Sequence, residues 1–321
     1  MREAVHRNRP SARDASAGTV ITTGTFDGVH RGHLAVIETL VREAERRRLQ
    51  SVVITFDPHP LRVVRPEAAP RLLTTGPEKE RLLLAAGADR VITLPFTSEL
   101  AAYPPRQFVE EILIERYGMK ELVIGYDHGF GRGRSGDVGA LRELGEELGF
   151  DVVVVQALTV DDAPISSSRI RRALEDGDVV AAAKGLGRAY AVTGTVVRGA
   201  GQGRALGVPT ANIALPDPEK LVPRSGIYAV RATARDQTHD GVLHVGPRPT
   251  FPGLPPSIEV HILDFDAELY GETVTVAFCD RIRDVLAFDS PDALVRAMRE
   301  DIDAARRILG SGGGGCKERM G

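Results

Sequence analysis

Tryptophan is absent from this chain of 321 residues, and aromatic residues make up only 5% of it. Long apolar runs are also missing, because no stretch approaches the roughly 18 uninterrupted apolar residues of a membrane-spanning helix. The first seventeen residues are rich in Arg, Ala and Ser and lack the apolar segment of an export signal. We therefore expect a soluble, cytoplasmic protein without a membrane partner.

Cysteine occurs only twice in the chain. Cys279 lies in an alternating apolar run, whereas Cys316 lies in a Gly-rich tail. A bridge would have to recruit an end of the chain that has little apolar surface to order it. We expect two free thiols.

Neither sign of charge dominates, since 41 Lys and Arg residues stand against 44 Asp and Glu residues, for a net charge of -3. Such a balance gives no general attraction to the phosphates of DNA or to anionic lipid, so nucleic acid is not an expected partner. With 42% hydrophobic and 26% charged residues, the composition is that of a globular protein. Small molecules are the expected partners, and the oligomeric state stays open.

The length exceeds the usual span of one hydrophobic core, so two domains are expected. A disordered tail, 1–17, precedes the first domain, 18–186. The second domain, 187–309, is followed by a flexible tail, 310–321, whose sequence GSGGGGCKERMG is typical of a Gly/Ser linker.

The two domains differ in their patterns of apolar residues. In the first, continuous apolar runs alternate with segments of helical period: TVITTG, SVVITF, RVITLPF, ELVIGY and DVVVVQAL. This pattern predicts an α/β fold with a doubly wound parallel sheet covered by helices on both faces. In the second, short β-branched runs are separated by Gly, Pro and Asp turns, which predicts a small antiparallel β-barrel. A terminal helix, 290–309, should pack on that barrel through Leu294, Met298, Ile302, Ala305 and Ile308.

A glycine-containing turn follows the first predicted strand and ends at the mouth of a helix. Glycines let the chain approach an anion, and the backbone N–H groups of a helix N-terminus are donors with partial positive charge. Two imidazoles three residues apart share one helical face. The pattern predicts a phosphate site made of Gly24, Thr25, Phe26, Asp27, Gly28, His30, Gly32 and His33. Two other interpretations are open. His30 and His33 could be incidental residues at the start of a helix, or Asp27, His30 and His33 could bind a metal ion.

The segment GTFDGVHRGH resembles the H-x-G-H signature of the nucleotidyltransferase superfamily, in which an attacking phosphate displaces pyrophosphate from ATP. The resemblance implies that His30 and His33 are catalytic, and that Gly24, Thr25, Phe26, Asp27 and Gly32 bind nucleotide. Such chemistry needs charge stabilisation rather than a nucleophilic side chain, and one preorganised donor contributes roughly a hundredfold in rate.

Two further motifs lie in the first domain. ISSSRIRR is similar to the S-S/T-x-R motif of adenylyltransferases, which implies that Ser167, Ser168 and Arg169 contact the triphosphate. Helix capping by Ser167 or Ser168 is an equally good interpretation and is compatible with that role. In TFDPHP, two prolines should prevent a helix from starting, leaving Asp57 and His59 exposed at the sheet edge, either as a plain turn or as a site. The flavin adenylyltransferase branch carries the same F-D-P-H-P string.

A second glycine-rich segment runs from Gly199 to Gly207. It is not a dinucleotide fingerprint, because Gly207 and Pro209 stop any helix at once. We expect a flexible flap over an anion instead. In the following PTAN tetrapeptide, Thr210 and Asn212 offer oxygen groups suited to Mg²⁺.

With HVGPRPTF and SIEVHILDFDAELYG downstream, the chain closely resembles the bacterial bifunctional riboflavin kinase/FAD synthetase family from about Gly18 to Ile308. The resemblance implies phosphorylation of riboflavin to FMN in the barrel domain, 187–309, and adenylylation of FMN to FAD in the first domain, 18–186. Glu259 would be the base. Without the flanking motifs an exposed strand carboxylate would be the better interpretation of this residue, and with them the base is. Thr210 and Asn212 would hold Mg²⁺. Nucleotide would contact Gly199, Gly201, Gly203 and Arg204, and flavin would contact Asp57, His59, Asp127 and Arg283.

Several positions depart from the family pattern: His128, Gly129, His244, Val285 and Ala287. All border the expected flavin sites. They raise the alternative of a paralogue with one activity weakened or a modified flavin as substrate. A flavin or nucleotide sensor without turnover is a rival of another class, and intact Glu259, His30 and His33 speak against it. A cytidylyltransferase or a pantetheine-phosphate adenylyltransferase would leave the barrel unexplained.

Overall fold

The computed structural model describes residues 4–6 (backbone only), 18–126, 138–199, 201, 203, 206–247, 250, 256–310 and 316. The chain divides into two compact units, Met1–Ile165 and Ser166–Gly321. None of the helices in these described segments is long and apolar enough to cross a membrane.

The first unit alternates strands and helices. In chain order its elements are β1 (Ala4–His6), β2 (Thr19–Thr23), α1 (Arg31–Arg47), β3 (Gln50–Asp57), α2 (Pro60–Val64), a 3₁₀ turn (Pro66–Ala68), α3 (Gly76–Ala85), β4 (Arg90–Pro95), α4 (Ser98–Ala101), α5 (Pro105–Gln107), a π-helix (Phe108–Arg116), β5 (Met119–Gly125), α6 (Val138–Leu148), β6 (Asp151–Val155) and the hairpin β7 (Thr159–Val160) and β8 (Ala163–Pro164).

The sheet of this unit has the order β1-β4-β3-β2-β5-β6. The strands from β2 onward pair in parallel, which confirms the doubly wound sheet predicted from the continuous apolar runs. The chain winds outward in one direction from β2 through β3 to β4, and in the other from β5 to β6. The order therefore reverses between β2 and β5, and ligands of such sheets bind at the carboxyl ends of the strands beside that switch point.

Neighbouring residues of each central strand enter different cores. Val20 and Val53 join one cluster, which contains Ile37 and Leu40 of α1. Ile21 and Val52 join the other, on the face covered by the π-helix. Both faces of the sheet are thus buried, which is why its strands are apolar at almost every position.

Two features of the first unit differ from the sequence prediction. Although residues 1–17 have no hydrophobic period, Ala4–His6 adds an antiparallel strand to the edge at β4. The expectation that prolines would block a helix after β3 is wrong, because α2 begins at Pro60 itself. A proline is tolerated at the first helical position, where its missing N–H has no intrahelical partner to lose.

The second unit begins with two helices, α7 (Ser167–Asp176) and α8 (Val179–Leu186). Six strands then close into an antiparallel barrel in the order β10-β13-β12-β11-β14-β9, which confirms the predicted barrel. Their bounds are β9 (Tyr190–Val197), β10 (Ala211–Ala214), β11 (Gly226–Ala234), β12 (Gln237–Gly246), β13 (Ser257–Ile262) and β14 (Thr273–Arg283). Tyr228 and Phe278 fill its centre in an edge-to-face contact, with ring centroids 5.2 Å apart.

The predicted terminal helix is present as α9 (Pro291–Gly310). Ala305 and Leu309 pack against Ala229 and Cys279 on the outside of the barrel. The prediction of two free thiols is wrong, because Cys279 is bonded to Cys316. The tail is held there by more than the bridge, since Arg231 Nη1 donates to the Cys316 carbonyl oxygen at 2.8 Å.

Candidate active sites

The segment Gly24–His33, here called the phosphate loop, leaves the carboxyl end of β2 at the switch point of the sheet. Three of its residues have left-handed backbones: Phe26 (φ 47°), Gly28 (φ 84°) and Val29 (φ 39°). Such conformations cost energy at non-glycine residues and persist only where the surroundings hold them.

Both oxygens of the Asp27 carboxylate hold the phosphate loop in place. Oδ2 accepts from the Leu73 amide at 3.1 Å, and Oδ1 accepts from the Thr74 amide at 2.9 Å. Thr74 Oγ1 in turn accepts from the Gly28 amide at 3.0 Å. Because Asp27 is only 3% exposed and takes backbone donors on both oxygens, its side chain supports the loop from beneath. The metal interpretation of Asp27 gains no support from this geometry.

His30 and His33 cap helix α1 for each other. The His33 amide donates to His30 Nδ1 at 3.3 Å, and the His30 amide donates to His33 Nδ1 at 3.4 Å. The two rings stack with centroids 3.6 Å apart. Since each Nδ1 accepts a hydrogen bond, the neutral ring carries its proton on Nε2. Each neutral ring then carries an Nε2–H donor, and the stacking places the two rings side by side.

Gly24 and Gly32 make room for the aromatic rings of the phosphate loop. A Cβ on Gly32 would lie 3.1 Å from His30 Cε1, and one on Gly24 would lie 3.2 Å from Phe26 Cε2. The same Cβ on Gly32 would be 4.0 Å from the Ile165 carbonyl oxygen, so the residue that precedes the SSSR motif borders the loop.

The SSSR and FDPHP motifs both lie at helix starts. Ser166, rather than Ser167 or Ser168, is the N-cap of α7, with its side chain accepting from the Arg169 amide at 3.3 Å. Ser168 and Arg169 are exposed. Asp57, the last residue of β3, is exposed, and His59 Nδ1 caps α2 by accepting from the Leu61 amide at 3.2 Å. Asp127, His128, Gly129 and Arg204 lie outside the described residues.

Lys79 of α3 is a residue of this edge that sequence reasoning missed. It is 8% exposed, and its Nζ donates to the carbonyl oxygens of Thr25 at 3.2 Å and Phe56 at 3.1 Å. Burial lowers the pKa of its ammonium group, while Asp27 and Asp57 act in the opposite direction. In the sequence PEKERLLL, Lys79 is one of several charged residues. Its spacing of four residues from Leu83, which places both on the same helical face, was the available signal that it is buried.

In the second unit, Glu259 of β13 lies between two hydroxyl groups. Thr210 Oγ1 donates to Oε2 at 3.0 Å, and Ser257 Oγ donates to Oε1 at 2.7 Å. The interpretation of Glu259 as a plain exposed strand carboxylate does not fit this position, because the side chain is partly buried and lines a pocket.

Glu259 belongs to a row of directly opposed residues that crosses five strands of the barrel. Its neighbours across the sheet are Asn212 of β10 and His244 of β12. The row continues through Ile227 of β11 to Arg283 of β14. Opposed residues of antiparallel strands point to the same face, so these side chains share one side of the sheet. The β-barrel thereby brings together residues up to 71 positions apart in the chain (212 to 283).

The glycines of the second glycine-rich segment let its backbone lie against this row. A Cβ on Gly199 would lie 2.1 Å from Asn212 Nδ2. A Cβ on Gly203 would lie 2.5 Å from the Val208 carbonyl oxygen and 3.0 Å from Thr210 Oγ1. Gly201 has a left-handed backbone with φ 72°. Close approach to Asn212 and Thr210 therefore explains Gly199 and Gly203, and the left-handed backbone explains Gly201.

A pocket opens beside Glu259, between the barrel and α9. Its apolar wall includes Val242, Val285, Leu286, Phe288, Leu294, Met298 and Ile302. Its polar groups include Thr210, His244, Glu259, His261, Arg283 and Asp301. Such a combination of a broad apolar wall with a few polar groups is typical of a site for a small molecule.

Arg283 is held rigidly at the wall of this pocket. Its Nε and Nη2 donate to the two oxygens of Asp301 at 2.8 and 2.6 Å, and Nη1 donates to the Asp284 carbonyl oxygen at 2.9 Å. Its Cζ lies 5.7 Å from the centroid of the Phe288 ring. Burial raises the pKa of the Asp301 carboxyl, and the adjacent guanidinium only partly offsets this. Asp301 is a second residue of the site that sequence reasoning missed.

The chain combines two sites. One is a histidine-capped phosphate loop at the switch point of a doubly wound sheet, and the other is a hydrogen-bonded carboxylate at a pocket of a closed barrel. Together they define an enzyme with two sites for phosphoryl or nucleotidyl transfer. The FAD synthetase family model matches residues 12–169, and the riboflavin kinase family model matches residues 186–309. The bifunctional riboflavin kinase/FMN adenylyltransferase of Escherichia coli K12 is 37% identical, over 91% of this chain and 93% of its own. The Bacillus subtilis enzyme of the same name is 34% identical, over 92% and 94% of the two chains.

A solved structure agrees over the same length. The crystal structure titled as a macrolide-efflux protein from Streptococcus pneumoniae is 33% identical and has a TM-score of 0.83. It covers 92% of this chain, and 96% of that chain is matched. The chain belongs to the family of bifunctional riboflavin kinase/FMN adenylyltransferases.

Proposed function

We propose that this protein transfers the γ-phosphate of ATP to riboflavin, giving FMN and ADP, and then transfers AMP from a second ATP to FMN, giving FAD and pyrophosphate. The observation that carries the proposal is the presence in one chain of both polar constellations, the stacked His30–His33 pair and Glu259 at the pocket beside α9. Because both reactions consume ATP, we place the protein in the cytoplasm.

In the kinase step, Glu259 accepts the proton of the ribityl 5′-hydroxyl as that oxygen attacks the γ-phosphorus. A carboxylate fits this task because a weakly acidic hydroxyl needs an acceptor within hydrogen-bond reach. The hydrogen bonds from Thr210 and Ser257 fix the direction of the carboxylate. The backbone around Gly199, Gly201 and Gly203 approaches the phosphates, with Arg204 assigned to the same task by family resemblance.

Thr210 and Asn212 would hold Mg²⁺ together with the phosphates of ATP. The donor set fits the ion, since a hydroxyl, an amide oxygen and the neighbouring Glu259 carboxylate are hard oxygen ligands. Mg²⁺ characteristically takes only one or two protein ligands when substrate phosphates supply the others. When bound, it neutralises charge on the phosphates as the terminal group is transferred.

In the adenylyl step, a phosphate oxygen of FMN attacks the α-phosphorus of ATP, and pyrophosphate leaves. The two Nε2–H groups of His30 and His33 stabilise the charge that develops on the phosphates, and Gly24, Thr25, Phe26 and Gly32 shape the phosphate loop around them. Ser167, Ser168 and Arg169 contact the triphosphate. Asp57 and His59 lie on the flavin side, together with Asp127.

The direct test is incubation of the purified protein with riboflavin, ATP and Mg²⁺, followed by chromatographic separation of riboflavin, FMN and FAD. We expect FMN to appear first and FAD afterwards. Supplying FMN in place of riboflavin isolates the second step. If neither flavin is altered and no ATP is consumed, the proposed function is wrong.

A second candidate is favoured by two of the departures from the family pattern. His244 and Val285 both line the kinase pocket, where the family usually has Asn and Glu. A flavin modified at the ring edge, or a weakened kinase step, would fit such an altered wall. Comparing riboflavin with ring-substituted riboflavins under the same conditions distinguishes these cases. Ordinary rates with riboflavin for both products would rule out this second candidate.

Asp301→Asn should raise the KM for riboflavin about tenfold, because the neutral amide cannot hold the Arg283 guanidinium bidentately at the flavin-binding wall. The KM for ATP and the rate of FAD formation from supplied FMN should change little. Steady-state kinetics measure these constants. Asp303→Asn, an exposed change on the same helix, is the matched control. An unchanged KM for riboflavin in Asp301→Asn would show that the ion pair does not serve flavin binding.

A further inference from the structure

Lys79 joins two segments that meet at the carboxyl edge of the sheet. Its Nζ donates to the Thr25 carbonyl oxygen at 3.2 Å, in the phosphate loop. It also donates to the Phe56 carbonyl oxygen at 3.1 Å, one residue before Asp57 and the turn with His59, here called the flavin-side turn (57–60).

The rest of the surroundings makes this link specific. Thr55 Oγ1 donates to the same Thr25 carbonyl oxygen at 3.2 Å, so β3 and α3 converge on one point of the phosphate loop. The Leu73–Thr75 segment that leads into α3 also anchors Asp27 and Gly28. The segment before α3 and the first turn of α3 therefore hold the phosphate loop in place through hydrogen bonds. Lys79 extends these contacts to the residue that precedes the flavin-side turn.

Burial of an ammonium group is unfavourable unless its hydrogen bonds are made. Lys79 is 8% exposed, and a methionine of similar length would fill the same space without that cost. A lysine at this position is thus poorly explained by packing alone. Burial lowers the pKa of its ammonium group, and Asp27 and Asp57, one residue of each segment, partly offset that effect.

We propose that Lys79 is a positioning residue for adenylyl transfer, fixing the separation between the phosphate loop and the flavin-side turn so that FMN meets ATP in line. The proposal rests on the proposed function. Each substrate would still bind to its own segment without Lys79. The alignment of the attacking oxygen with the α-phosphorus would be lost, and small misplacements of reacting atoms cost up to about a hundredfold in rate.

The test compares Lys79→Met, Lys79→Gln and the control Lys120→Met, which makes the same change at an exposed lysine of β5. In Lys79→Met we expect kcat for FAD formation from FMN to fall at least about tenfold. The KM values for ATP and FMN should stay within about threefold, and riboflavin kinase activity in the same polypeptide should be unchanged. Lys79→Gln, whose amide can still donate, should recover part of the kcat.

Hydrogen exchange gives a readout that does not depend on turnover. Amides of the phosphate loop and of the flavin-side turn should both exchange faster in Lys79→Met than in Lys120→Met, while the barrel is unaffected. A kcat within twofold of the unmodified protein, or exchange that is unchanged in both segments, overturns the proposal. A parallel fall of both activities and of the thermal midpoint also overturns it, because that pattern indicates general stability. If the unmodified protein forms no FAD from FMN, the proposed function fails. The exchange result would still show whether Lys79 stabilises the phosphate loop and the flavin-side turn.

Discussion

Glu259→Gln is expected to lower kcat for FMN formation from riboflavin by about a hundredfold to ten-thousandfold. Glutamine has the shape of glutamate. Its amide oxygen can accept from one of the two hydroxyl groups of Thr210 and Ser257, and its NH2 group can donate to the other, so the pocket should keep its form. It cannot accept the hydroxyl proton as the ribityl oxygen attacks. Glu259→Ala should be at least as impaired, because it also leaves both hydroxyl groups without their acceptor.

The second activity of the Glu259→Gln protein is an internal control. FAD formation from supplied FMN should proceed at the unmodified rate, since the phosphate loop lies in the other unit of the chain. Glu268→Gln, at an exposed carboxylate of the barrel, should leave both activities intact. FMN production by Glu259→Gln within a few fold of the normal kcat would remove Glu259 from the role of base.

The fold follows from patterns that are strong in the sequence. Strands buried on both faces must be apolar at consecutive positions, as Val52 and Val53 are, and this identifies a parallel sheet. The barrel follows from short alternating runs between turn residues. The strand Ala4–His6 was not predictable in this way, because an edge strand of three residues is fixed by its partner β4 and needs no period of its own.

The sites were predictable where a motif is contiguous. The spacing of His30 and His33 places both on one helical face, although their mutual capping appears only once the backbone is known. Lys79 and Asp301 were missed because their roles depend on partners far along the chain: Thr25 for the first and Arg283 for the second. The Cys279–Cys316 bridge was missed for the same reason. The Gly-rich composition of the tail gave no indication that it packs against the barrel.

His33→Ala is expected to lower kcat for FAD formation from FMN by roughly a hundredfold or more, while riboflavin kinase activity is retained. The change removes one Nε2–H donor aimed at the developing phosphate charge. It also removes the acceptor of the His30 amide and the ring that stacks on His30 at 3.6 Å. The loss therefore has two parts. The capping part should cost at most about 1 kcal/mol of stability, because His30 remains the N-cap of α1 and only the reciprocal hydrogen bond is lost.

Two variants separate the capping of α1 from phosphate stabilisation. His33→Asn keeps a side-chain acceptor for the His30 amide but has no donor in the position of Nε2, so its thermal midpoint should recover while its adenylylation stays low. Thr97→Ala removes a cap of comparable strength from α4, where Thr97 Oγ1 accepts from the Leu100 amide at 3.2 Å, and should lower stability without lowering kcat. If Thr97→Ala reduced FAD formation as much as His33→Ala, the effect at His33 would be one of folding. Normal adenylylation by His33→Asn would mean that the Nε2–H of His33 does not act on the phosphates, and His30 would then carry that role alone.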